Sequence, residues 1–195
     1  MKTVSALYDT YSEASSAVSA LEAAGIPHSD ISYVASDADN WQQPSSAAAD
    51  AGAMAGVGAA VGGVGGLLTG LGIMAIPGVG PVVAAGWLVA TAVGAAAGAA
   101  VGGAAGSLVG ALTNSGVSES DANVYAEGVR RGGALVSARV EDARSAEAQS
   151  ILERQKYVDI NRRREEYRRS GWSTFDANAP AYTPDEVARE RARYQ

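Results

Sequence analysis

Apolar and polar positions fall into three patterns along the chain, and each predicts a different kind of element. At the N-terminus, Thr3-Val4-Ser5-Ala6-Leu7-Tyr8 alternates like a strand. Ala14, Ala17, Val18, Leu21 and Ala24 then recur at helical spacing between Tyr11 and Ala24, closed by Gly25 and Pro27. Ile31-Ser32-Tyr33-Val34-Ala35 predicts a second strand. The same alternation of types returns late in the chain. Ser118 can cap a helix running through Asn123 and Val129, with Asp121 in the capping-box position and Gly132-Gly133 as the stop. Ala134 to Val140 is the clearest strand. Ser145 to Gln155 predicts a helix with Ala146, Ala148, Ile151 and Leu152 inward, and Tyr157-Val158-Asp159-Ile160 a short closing strand.

Between these two halves the pattern changes completely. From Ala51 to Ser118 there are 68 residues without one charged side chain, and nineteen of the twenty-four glycines fall there. Gly58, Gly62, Gly66 and Gly70 form one series at spacing four, and Gly94, Gly98, Gly102, Gly106 and Gly110 another. Residues four apart share a helix face, so each series makes a smooth stripe where a second backbone can approach closely. Glycine costs a free helix about 1 kcal/mol per residue against alanine, so such helices need a packing partner. Val57, Val61, Val64, Leu67, Leu68, Leu71 and Ile73 fill the gaps and argue against a disordered linker. Pro77, Gly78, Gly80 and Pro81 break the run, which predicts two antiparallel helical arms, about Ala48 to Met74 and about Val82 to Leu112, within a hairpin over 48–114. Each arm would be roughly 40 to 46 Å long, enough to cross a hydrocarbon core of about 30 Å. A soluble hairpin normally keeps a polar face, and this one has none.

The strand and helix order, with the insert removed, predicts an α+β unit of ferredoxin-like type, a four-stranded sheet with helices on one face, built from residues 1–36 and 118–160. Residues 37–47 read as a linker. Asn161 to Gln195 reads as a charged helical or disordered tail, with eight Arg and six acids. In it Arg162 to Arg169 alternates charge along a helix that stops near Gly171-Trp172. Thr183-Pro184-Asp185-Glu186 starts a last helix by capping box, and the charged faces of both read as solvated.

Composition narrows the chemistry. There is no cysteine and one histidine, so neither a disulfide framework nor a Cys/His zinc site can form. Net charge is −6, and residues 1–50 carry one Lys against seven acids, so no nucleic-acid binding is expected. Gly56-Val57-Gly58 is followed by Val61 where a dinucleotide fingerprint needs its third glycine. His28 could act as a base with Asp30, but a turn histidine facing water is the simpler reading. Asp37, Asp39 and Asn40 resemble half a calcium loop without its glycine and distal glutamate. Trp41 and Trp87 could mark a lipid interface. Arg130 and Arg131 suit a helix C-terminus. No catalytic, metal or cofactor-binding residues and no cofactor are expected.

Taken together, the opening strand and helix, Gly25-Ile26-Pro27 with Asp30-Ile31-Ser32, the glycine series with Ala75 to Pro81, Tyr125 to Gly133 and the closing Val158-Asp159-Ile160 resemble the bacterial general stress protein 17M-like domain, also described as a heat-induced stress protein. The resemblance spans about residues 2–160. It implies a role in general stress responses with no established enzymatic activity or cofactor, and so carries over no catalytic residue. The expected function is that of a non-enzymatic stress protein that self-associates and contacts or inserts into the membrane through its hairpin. The alternative is a soluble oligomeric binding or regulatory module whose hairpin is a buried packing core. Met1-Lys2-Thr3-Val4-Ser5 lacks the apolar core of a signal peptide, which predicts a chain retained in the cytoplasm, at most associated with the inner membrane.

Overall fold

The computed structural model describes residues 1–37, 72–76, 78–91 and 108–194. Mixed helices and an antiparallel sheet give the α+β architecture read from the sequence, but the strands are partly different ones. They are β1 (Lys2–Tyr8), β2 (Ile31–Ser36), β3 (Gly72–Ile76), β4 (Gly80–Gly86) and β5 (Ala134–Val140), in the order β1-β5-β2-β4-β3 with every neighbour antiparallel. Helix α1 (Tyr11–Ala23) joins β1 to β2. Downstream lie α2 (Leu108–Asn114), α3 (Glu119–Arg130), α4 (Ser145–Glu153), α5 (Ile160–Arg169) and α6 (Pro184–Ala192).

Period-two alternation sends each strand's side chains to opposite faces, and here both faces are covered. Val4, Ala6 and Tyr8 of β1, Ile31 and Tyr33 of β2, and Val136 and Ala138 of β5 meet Ala14, Ala17, Val18 and Leu21 of α1 and Leu152 of α4. The Tyr8 hydroxyl donates to the Leu152 carbonyl at 2.9 Å, tying α4 to that face. Leu7, Val34, Leu135, Val82 and Ala84 point the other way, against Leu108 and Leu112 of α2 and Ala122, Tyr125, Ala126 and Val129 of α3. The polar positions on this second face are satisfied locally: Ser5 and Ser137 hydroxyls pair at 2.8 Å, and the Tyr125 hydroxyl donates to the Ser5 carbonyl at 3.0 Å. Helices on one face only were expected. The second layer exists because β2 is buried at every position, leaving no solvated side.

Two expected elements are corrected. Residues 72–74 and 82–86, expected at the ends of the helical arms, lie instead in the two strands of a β-hairpin, with β4 laid along β2 so that Tyr33 faces Ala85 and Ala35 faces Val83. Val82 and Val83, β-branched and fully buried, suit a central strand, and the glycines at 72 and 80 fall out of step with the spacing-four series. The chain reverses at Gly78–Val79 between strands, with Gly78 at φ +74° and Gly80 at φ +96°, while Pro81, second in β4, is exposed to solvent. Helix resumes over 87–91, and Gly110 is buried in α2. Pro77 and Gly58, Gly62, Gly66, Gly70, Gly94, Gly98, Gly102 and Gly106 lie outside the described residues. Second, Tyr157 to Ile160 is not a strand. Val158 N–H donates to the Leu7 carbonyl at 2.8 Å, but Asp159 accepts from the Asn161 and Arg162 amides and so starts α5 before a ladder can form. Among the described residues, no helix is long and apolar enough to cross a membrane.

Candidate functional site

The C-terminal segment is not a solvated tail. It folds back across α3 and the end of β1 and closes a buried network of charges that the two halves of the chain build together. The network begins at the last turn of α3, where Arg130 and Arg131 stand at the helix C-terminus as expected. Both also pair with Glu127, which is completely buried: Arg131 Nε lies 2.6 Å from Glu127 Oε1 and Arg130 Nη1 3.3 Å from Oε2. Arg131 then reaches Glu190 of α6 at 3.2 Å, and Glu190 also takes Arg193 at 2.6 Å. The Arg131 guanidinium sits 4.2 Å over the Tyr167 ring of α5, and Arg130 lies 5.0 Å over Tyr182 while donating to the Pro180 carbonyl.

Helix α5 docks in the same way. Arg163 binds both oxygens of Asp9, just past β1, at 2.8 and 2.9 Å, beneath the Tyr194 ring at 3.6 Å. Arg164 pairs with Asp121 at the start of α3, and Arg191 of α6 donates to the Gly132 carbonyl. The only buried side chains of α5 are Arg163 and Tyr167, and those of α6 are Val187 and Glu190. Each helix is therefore fixed by one charged and one apolar or aromatic anchor. Burial works against the Arg131 and Arg163 charges, but the hydrogen bonds they donate to Glu127 and Asp9, with the attraction of those carboxylates, outweigh it and hold both guanidiniums above their ordinary range. Groups locked in this way position elements rather than move protons. Beside the network, an open cleft of about 650 Å³ lies between Asp9, residues 157–159, α5 and Tyr194.

Burial also raises the phenols of Tyr8, Tyr33, Tyr125 and Tyr167 above the ordinary tyrosine range. Folded and unfolded chains are both neutral at these groups below pH about 10, and above it the unfolded chain ionises first, so stability falls as pH rises. Phenolate absorbance of these buried tyrosines is expected to rise in one step with loss of circular dichroism. A rise while the fold stays intact would contradict their burial.

The other residues singled out in the sequence do not converge on this network. His28 is exposed and pairs with Glu22 at 2.8 Å rather than with Asp30, which takes Arg139 at 3.0 Å. Trp87 is held at Asp30, its indole N–H donating to that carbonyl at 3.2 Å with Arg139 over the ring at 4.7 Å, so it is tied into the domain. Asp39, Asn40 and Trp41 lie outside the described residues. Among the described residues, no three His, Cys, Asp or Glu side chains gather as metal ligands. Sequence reading missed Asp9, Glu127, Arg163, Tyr167 and Glu190 as partners. One signal was present: Glu127 stands among Ala126, Gly128 and Val129, an acid inside an apolar run, which calls for a buried cation.

No curated protein and no solved structure is significantly similar to the chain. The family model described as heat induced stress protein YflT domain matches residues 3–74, from β1 through α1 and β2 into β3. That family is not a known enzyme family, and the match over this part of the chain is consistent with a general stress protein family.

Proposed function

We propose that the chain is a general stress protein that works by association rather than catalysis, joining copies of itself and contacting the cytoplasmic side of the inner membrane through its uncharged sequence. The observation that carries this reading is how the buried charges are spent. Asp9, Glu127, Arg131, Arg163 and Glu190 are all closed against partners that dock one element on another, and this is the chemistry of a scaffold. The fold is read as a ferredoxin-like unit widened at one edge. β1, β5 and β2 lie side by side with α1 and α4 on one face, and β4 and β3 extend the sheet beyond β2. The spacing-four glycines of 58–70 and 94–110 supply close helix packing in the assembly.

One observation favours a second reading, a soluble oligomeric module whose uncharged segment is packing core. Val79, Val82, Val83, Leu88, Leu108 and Leu112, all from the uncharged run, are buried in the domain itself. The test is alkaline carbonate extraction of membranes carrying the full chain, followed by sizing of whichever fraction holds it. Retention in the washed membrane supports insertion. Release as a defined oligomer supports the soluble module, and release as a monomer sinks both.

A further inference from the structure

The open cleft beside α5 is lined by four guanidiniums, Arg162, Arg163, Arg169 and Arg193, against three carboxylates, Asp9, Asp159 and Glu166. Arg162, Arg163, Glu166 and Arg169 recur on one face of α5, and Arg193 and Tyr194 face them across the cleft. Within the lining, Asp9 takes Arg163 and Glu166 takes Arg162 and Arg163, while Arg193 reaches outside it to Glu190. The one other carboxylate of the lining, Asp159, caps α5 through two backbone amides. Among the described residues, Arg169 pairs with the exposed Glu165 at 3.8 Å.

The cations also differ in how firmly they are held. Arg163 is 8% exposed at the floor with both Nη atoms on Asp9, whereas the Arg162, Arg169 and Arg193 side chains are 80%, 78% and 60% exposed. Ion pairs at exposed guanidiniums are weak, so these three heads can turn to a better acceptor while the floor stays intact. A cleft of about 650 Å³ is the size of a small-molecule site. Tyr157, 42% exposed, adds an aromatic ring to the lining. Guanidinium forks converging from two sides suit a tetrahedral group with three or more oxygens better than a two-oxygen carboxylate.

We propose that this cleft binds a phosphate-bearing anion, held by Arg162, Arg169 and Arg193 over the fixed Arg163–Asp9 pair. The phosphate belongs either to a soluble compound or to a lipid headgroup, and the experiment separates the two. Inorganic pyrophosphate is titrated calorimetrically into the full chain at constant ionic strength set with chloride, and the chain is co-sedimented with phosphatidylglycerol or phosphatidylcholine vesicles. The Arg162→Gln/Arg169→Gln variant, which leaves every buried pair in place, is expected to lose about tenfold or more in affinity. Arg168→Gln, on an exposed residue of α5 outside the cleft, is expected to change nothing. Pyrophosphate binding alone assigns a soluble phosphate compound, and arginine-dependent sedimentation with phosphatidylglycerol assigns a headgroup. Vesicle binding that ignores the double variant rules out a lipid headgroup in this cleft and leaves the proposal to stand or fall on pyrophosphate. Absence of pyrophosphate binding together with absence of arginine-dependent vesicle binding overturns the proposal, as does equal pyrophosphate affinity in wild type and double variant.

Discussion

Gly86→Ala is expected to destabilise the domain by about 2–5 kcal/mol, combining an unfavourable positive φ with overpacking against backbone. Gly86 ends β4 at φ +95°, opposite Ser32 in the ladder with β2. A methyl group there would run into the Ile31 carbonyl oxygen and stand 2.7 Å from the Ser32 Cα, and neither atom can move without disturbing the strand. The sign of the effect separates two structures. In a helical arm the same substitution would stabilise by about 1 kcal/mol, because alanine is the better helix former. A urea midpoint that falls, with the slope unchanged, supports the hairpin. A midpoint that rises would return residues 82–86 to a helix.

That opposition of sign also shows where the sequence was readable and where it was not. β1, α1, β2, α3, β5 and α4 lie where periodicity and end signals put them, because each has polar residues within it or turn and cap residues at its ends. Ser118 accepts from the Asp121 amide, and the Thr183–Glu186 capping box forms at α6. β4 gave no such signal. Buried on both faces, Val82-Val83-Ala84-Ala85 shows no alternation, and an apolar run of that length does not distinguish strand from helix. Glycine series on either side then pulled the reading toward helix. The tail failed for another reason: an Arg/Glu helix reads as solvated unless its counter-charges are known, and these lie far away in sequence. Arg163 meets Asp9 across 154 positions and Arg131 meets Glu190 across 59. Local pattern carries no record of such pairs.

The same distances make Glu127 the most consequential charge in the molecule. Glu127→Ala is expected to cost about 3–5 kcal/mol, the usual penalty for removing one partner of a buried ion pair and leaving the other uncompensated. Arg131 would keep Glu190, but its Nε would face the space left by Oε1, 2.6 Å away in the intact pair, and Arg130 would lose its carboxylate as well. Since α6 is anchored through Glu190 and Val187, and α5 through Tyr167 beneath the Arg131 guanidinium, the loss should spread outward from α3. Hydrogen exchange should therefore show protection falling in 160–192 before it falls in β1 or β5. Glu147→Ala, which removes a carboxylate paired with Arg144 in solvent, should leave the urea midpoint where it was. Equal, small effects from both substitutions would mean that the tail is held by its few apolar anchors, and that the network over α3 follows the docking instead of causing it.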